Sequence, residues 1–280
     1  MRIKDIILVI IVVFSWGGYF TLGKIATLSF PPLLLVALRF LFLFILTSPF
    51  FFKDRLPLKK IFYLSVAALV NLLLLNKAIH LSSNLTPIIL LNELAVPIST
   101  IFGVYFFKEK FALKDGLGIF IALIGLSLVV KMRSAEHVSS LAVILTIMAS
   151  FSFACYHLLA KQLAKFNLLT LFSYLSLIIF PVAFLLSFFQ EEWPSMEEVK
   201  LQSIMALLYI VLIGTLIGDY IWFYLLNKYP MSKVVPFTLL SPIFGCIITK
   251  TVLNEHISPS VLVGGLLVMT GLALIQLKRE

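Results

Sequence analysis

Glu93 is the only charged residue between Asn84 and Phe107, Asp219 the only one between Leu201 and Leu226, and Arg39 the only one between Pro32 and Phe52. A charge at the centre of a bilayer costs about 2.5–3.5 kcal/mol on insertion scales, so such residues persist where they meet a ligand, an ion or one another. Glu93 follows Asn92 and precedes Pro97. Its carboxyl could exchange a proton, hold a substrate ammonium, or pair with Lys77 across the short turn at Ser82-Ser83. Asp219, between Gly218 and Tyr220, is a second candidate proton carrier. Arg39 could attract a carboxylate, pin helices together, or reach the headgroups along its methylene stem. Trp16, Tyr19, Asn71, Asn76, Lys77, Asn92, Tyr156, His157, Tyr220 and Trp222 are further candidates to line a pathway, although aromatics at helix ends also serve as interfacial anchors.

These groups need membrane-length helices to position them. A hydrocarbon core about 30 Å thick takes about 20 apolar residues per helix, and ten segments fit, near 5–23, 32–52, 61–80, 84–107, 115–131, 139–160, 169–189, 201–226, 233–253 and 259–277. Pro31-Pro32, Pro57, Ser82-Ser83, Pro194 and Pro259 separate them. Pro87, Pro97, Pro236 and Pro242 fall within the fourth and ninth segments, where a missing N–H can hinge a helix or open a cavity. The composition agrees: the chain is 61% hydrophobic and 12% charged, against about 45–50% and 25% for soluble domains.

The net charge of +9 does not imply nucleic acid, because no basic run is long enough to track a phosphate backbone. It reports orientation instead. With the amino terminus in the cytoplasm, Arg2, Lys4, Lys53, Arg55, Lys59, Lys60, Lys108, Lys110, Lys114, Lys161, Lys165, Lys228, Lys233, Lys278 and Arg279 lie inside. Only Lys24, Lys77, Lys131, Arg133, Lys200 and Lys250 lie outside, which satisfies the positive-inside rule. An even number of crossings returns the carboxyl terminus to the cytoplasm. Arg2 and Lys4 precede an apolar run as in a signal peptide, but no small-x-small cleavage site follows. Cys155 and Cys246, both in apolar segments, are expected to be small core residues.

The chain also repeats itself. Phe14-Ser15-Trp16-Gly17-Gly18-Tyr19 through Lys24 aligns without gaps on Phe151-Ser152-Phe153-Ala154-Cys155-Tyr156 through Lys161, and Glu109, Gly118 and Gly125 match Glu255, Gly264 and Gly271 at one constant offset. Two halves, 1–133 and 134–280, thus hold five helices each, and an odd number forces the second half to cross upside down. The expected fold is an all-α integral membrane protein of ten transmembrane helices in two inverted repeats. Gly116, Gly118, Gly125, Gly264, Gly265 and Gly271 are expected at close helix contacts, and Lys24 and Lys161, at equivalent helix ends, are expected to snorkel.

With these motifs the chain resembles the drug/metabolite transporter superfamily, in particular its ten-helix EamA-type exporters. Further residues carrying the resemblance are Ala37-Leu38-Arg39-Phe40, Ala78-Ile79-His80, Gly218-Asp219-Tyr220-Ile221-Trp222, Val235-Pro236, Leu239-Leu240-Ser241-Pro242, Asn254-Glu255 and Gly264-Gly265. The resemblance implies a secondary transporter of a bacterial inner membrane that exports amino acids or related metabolites by alternating access without ATP, nearest to cysteine/O-acetylserine-type exporters. Lys77 and Glu93 depart from it, standing where relatives usually carry neutral residues. A small-molecule substrate, protons as coupling ion and membrane lipid are the expected partners, with no nucleic acid, cofactor or metal. The first, third, fourth, sixth, eighth and ninth segments are expected to surround a cavity exposed alternately as the halves rock.

The competing classes are a facilitative or channel-like carrier, a multidrug or other metabolite transporter, and an intramembrane enzyme. There is no Walker A loop and no His-Glu-x-x-His, and Gly218-Asp219 lacks both a further Gly ahead of it and a Tyr-Asp partner pair. An enzyme is therefore not expected.

Overall fold

The computed structural model describes residues 2–107, 113–131, 139–163, 165–229, 237–238, 240–254 and 259–276. Pro236, Glu109 and Glu255 lie outside the described residues. Every element described is helical: α1 (Ile3–Ala26), α2 (Pro32–Thr47) with a 3-10 turn (Ser48–Phe50), α3 (Leu58–Leu81), α4 (Thr86–Asn92), α5 (Ala95–Phe107), α6 (Leu113–Lys131), α7 (Ser140–Leu163) and α8 (Leu168–Gln190). Then α9 (Leu201–Tyr209) runs through a π-helical stretch (Ile210–Asp219) into α10 (Tyr220–Lys228), followed by α11 (Leu240–Leu253) and α12 (Pro259–Gln276).

Six of these helices are long and apolar enough to cross a membrane: α1, α2 with its 3-10 turn, α3, α7, α8 and the run Leu201–Lys228. Their outward faces are apolar. On α7, Leu141, Ile144, Met148 and Phe151 repeat at helical spacing and are 51–54% exposed, as a lipid-facing stripe requires. Inside, some Ser and Thr hydroxyls return to their own helix, Thr146 Oγ1 donating to the Ala142 carbonyl and Ser150 Oγ to that of Thr146, which satisfies them without water.

The most extensive packing joins the two halves of the chain rather than neighbours within one half: α6 against α12, α3 against α7, α2 against α8 and α1 against α11. Small residues allow the approach. A Cβ on Gly17 would lie 2.8 Å from the Gly245 backbone nitrogen, so α1 and α11 touch backbone to backbone. Gly118, Gly125, Gly264, Gly265 and Gly271 are buried and Gly116 is half-buried, and a Cβ on Gly265 would lie 3.2 Å from Leu90 of α4.

Two expected helices are interrupted. The 84–107 segment breaks at Glu93-Leu94 into α4 and α5, because Pro97 has no N–H for the Glu93 carbonyl one turn earlier and its ring crowds that oxygen. The Glu93 and Leu94 amides turn instead to Leu90 and Leu91, and the Glu93 carbonyl accepts from Val96. Pro87 and Pro242 are not hinges. Both fall in the first turn of a helix, α4 and α11, where proline costs no hydrogen bond. In the 201–226 segment, ten residues from Ile210 to Asp219 wind as a π-helix, with Thr215 Oγ1 donating to the Ile210 carbonyl at 2.8 Å. Such stretches are rare and gather at functional sites.

Polar ties close the bundle at both ends. At the amino-terminal end, Asp5 accepts from Lys228 Nζ at 2.9 Å and from the Tyr229 hydroxyl at 2.6 Å, joining α1 to α10. At the opposite end, Glu191 accepts from the Leu33 and Leu34 amides, both at 2.9 Å, capping the open first turn of α2.

Candidate functional site

A cavity of about 180 Å³ lies at the centre of the bundle, between these ties. Its walls come from α1, α3, the α4–α5 break, α7, the π-helical stretch and α10, and also from α2 and α8 through Arg39, Phe40, Leu43, Phe172 and Leu175. The seventh segment therefore joins the wall, and the second brings Phe40 and Leu43 to it besides Arg39, beyond the six segments expected to surround the cavity. Most of the lining is aromatic or aliphatic.

Ten of the thirteen residues singled out from sequence meet here: Trp16, Tyr19, Arg39, Asn71, Asn92, Glu93, Tyr156, His157, Asp219 and Trp222. Trp16 Nε1 donates to Asp219 Oδ1 at 3.2 Å, and the Trp16 ring meets Trp222 edge-on at 5.0 Å between centroids. His157 sits against Phe153 at 4.1 Å and lies 6.0 Å from Trp222. The π-helical stretch ends at Asp219, and a Cβ on Gly218 would stand 2.9 Å from Ser15 Oγ and 3.3 Å from Trp16 Nε1. The absent side chain lets α1 come close enough for Trp16 to reach Asp219.

Arg39 is 8% exposed, and its Nε and Nη1 are buried without a hydrogen-bond partner. Its guanidinium lies over Tyr19, 5.3 Å from the ring centroid, a face-on contact that holds the cation in a dry site. Tyr19 is itself fixed by its hydroxyl, which donates to Asn76 Oδ1 at 3.0 Å. Asn76 donates in turn to the Leu72 carbonyl at 2.7 Å, so it supports the cavity from behind and does not line it. Asn71 Nδ2 donates to the Ala149 carbonyl at 2.9 Å, tying α3 to α7.

Glu93 is 9% exposed and stands at the α4–α5 break. Among the described residues no salt bridge reaches its carboxyl. Asn92 Oδ1 beside it is buried without a partner, as is Trp222 Nε1 in the same cavity.

Three expectations are corrected. Lys77 is exposed on the outer side of α3 and does not pair with Glu93, because the α3 face that bears Asn71, Asn76 and Leu75 turns inward instead. Tyr220 is 42% exposed and faces outward, one residue beyond Asp219. Lys24 does not snorkel: its Nζ donates to the carbonyls of Ile79, His80 and Ser82 at 3.2, 2.8 and 2.5 Å, capping the end of α3. Sequence reasoning missed Phe153, Ser99, Thr215 and Ser241 in the wall. Phe153 had a signal, since it shares one helical face with Tyr156 and His157. Among the described residues no cluster of His, Cys, Asp and Glu could hold a metal, and Cys155 and Cys246 are unbridged.

Outward apolar faces around a central, partly polar cavity define a multi-pass α-helical membrane protein. The model of the EamA-like transporter family matches the chain twice, over residues 3–131 and 140–277, and the chain belongs to that family. It is a transporter and not an enzyme. It is 28% identical to a protein of Escherichia coli (strain K12) named "Probable amino-acid metabolite efflux pump", over 97% of this chain and 94% of that one. A protein of Salmonella typhimurium with the same name is also 28% identical, over the same shares. A solved protein structure superposes with a TM-score of 0.71 at 14% identity, covering 98% of this chain and 96% of the other, and so shares the fold.

Proposed function

We propose that the chain is a secondary transporter of a bacterial inner membrane that exports amino acids or related small metabolites by alternating access. It crosses ten times, as two inverted five-helix repeats over 1–133 and 134–280, with both termini in the cytoplasm. The observation that carries this reading is the central cavity, which gathers the unpaired donors of Arg39 and the Glu93 carboxyl into an enclosure lined mostly by aromatic and aliphatic side chains. A pore for water and ions would have continuous polar lining, whereas a mostly apolar site with few convergent polar groups suits one small organic ligand. The names of the relatives support the substrate class.

Access does not change by two halves rocking as separate blocks, since such a motion would break the four most extensive helix pairs at once. The interrupted helices supply the movement instead: the α4–α5 break and the π-helical stretch place Glu93 and Asp219 at two departures from the regular helical ladder.

The test is counterflow of labelled amino acids into proteoliposomes. Saturable, competable exchange supports a carrier, and linear uncompeted flux supports a channel. Protons couple through Glu93 or Asp219 in this reading, so Glu93→Gln or Asp219→Asn abolishes the pH dependence of exchange. PH dependence retained in both variants removes proton coupling from the account.

A further inference from the structure

The cavity's polar groups do not balance in charge. Arg39 and Asp219 are opposite charges lining one cavity, and Asp219 also accepts from Trp16, so Asp219 already has partners. Glu93 has no salt-bridge partner among the described residues. A carboxylate nine-tenths buried within a membrane protein calls for a cation, and Asn92 Oδ1 adds a second unmatched acceptor one residue away. In the same cavity, Arg39 Nε and Nη1 are unmatched donors on a planar fork suited to a carboxylate.

We propose that the cavity selects amino acids bearing a second, side-chain amine, with the substrate carboxylate on Arg39, its α-ammonium toward Asp219, and the side-chain ammonium on Glu93 and Asn92. The inference rests on the amino-acid reading above and narrows it. A simple zwitterion carries no net charge and leaves Glu93 uncompensated, and its two charges sit on one carbon, beside Arg39. A diamino acid such as lysine or ornithine carries one net positive charge. Its methylenes meet the apolar part of the lining, to which Leu72 and Leu75 of α3 contribute, and its terminal amine ends on acceptors that otherwise have no donor.

Lysine and norleucine decide the matter, because they have similar carbon skeletons and differ in the terminal amine. Counterflow of each labelled compound is measured in proteoliposomes of the full-length protein, for wild type, Glu93→Gln and Asn92→Ala, with Trp fluorescence quenching in detergent as a separate binding readout. A charge-assisted hydrogen bond is worth about 1.5–3 kcal/mol, so kcat/KM for lysine should exceed that for norleucine by about tenfold or more. Glu93→Gln should bring the ratio to within about twofold by weakening lysine more than norleucine, and Asn92→Ala should lower it part of the way. Equal or better exchange of norleucine by wild type, or a ratio unchanged in Glu93→Gln, overturns the proposal while leaving an amino-acid carrier in place. Exchange of no amino acid of either kind overturns the carrier's substrate class and this inference together. A Glu93→Gln protein that fails to reconstitute leaves the wild-type ratio and Asn92→Ala to decide.

Discussion

Arg39 shows how a single buried side chain constrains the chemistry around it. Its guanidinium is held over Tyr19, and Tyr19 is held through Asn76 by the α3 backbone, so the planar fork is oriented before any ligand arrives. Lysine would keep the charge and lose both the stacking and the paired donors. Arg39→Lys is therefore expected to raise KM for exchange about tenfold with a smaller change in kcat, and an unchanged KM would remove Arg39 from substrate contact. The ionisable candidates were legible because apolar neighbours isolate them: Glu93, Asp219 and Arg39 each stand alone in a long uncharged run. Lys77 shows the limit of that argument. It is isolated in the same way, yet it faces outward, since a long side chain at a helix end can bring its charge back to water. Isolation in sequence marks a charge as costly without fixing the face that carries it.

At the scale of the helix, two glycines make different demands. A Cβ at Gly17 meets backbone atoms of α11, the Gly245 nitrogen at 2.8 Å and the Ser241 carbonyl at 2.9 Å, whereas one at Gly218 meets Ser15 Oγ at 2.9 Å and the Ile213 carbonyl at 3.1 Å. Backbone cannot rotate away and a hydroxyl can. Gly17→Ala should lower the thermal midpoint in detergent more than Gly218→Ala, which should cost about 1–3 kcal/mol. Ser15→Ala should recover part of the second loss and none of the first. Equal losses that Ser15→Ala does not relieve would mean that the π-helical stretch does not depend on this contact. Which helices break was only partly legible. Pro97 interrupts its helix because it falls a full turn inside, while Pro87 and Pro242 merely begin theirs, and that distinction needs boundaries finer than an apolar run provides. The π-helical stretch left no trace, because the same residues satisfy an ordinary apolar helix equally well.

Over the whole molecule, six membrane-length helices and the twofold family match could be anticipated from the sequence, but the way the halves interlock could not. In lipid, a face against a neighbouring helix and a face against acyl chains are both apolar, so hydrophobicity does not say which is which. The pairing of α2 with α8 and of α3 with α7 therefore emerges only in three dimensions, and with it the need for small gates at the two ends. Asp5 and Lys228 form the one salt bridge among the described residues, and they join the first half to the second at the amino-terminal end. Glu191 does the same at the far end through the α2 amides. If the cavity opens alternately, each tie must part in one state and hold in the other. Asp5→Asn removes the charge that Lys228 requires and should favour the state open at the amino-terminal end. A cysteine placed at Leu43 in the cavity wall, in a background with Cys155 and Cys246 replaced, should then react faster with a membrane-impermeant thiol reagent applied to that side. Leu33 and Leu34 contribute backbone amides, so the matching variant is Glu191→Gln, which should speed the same reaction from the opposite side. Faster labelling from both sides in either variant would mean a loosened bundle instead of a shifted equilibrium, and unchanged labelling would show that the ties are not gates.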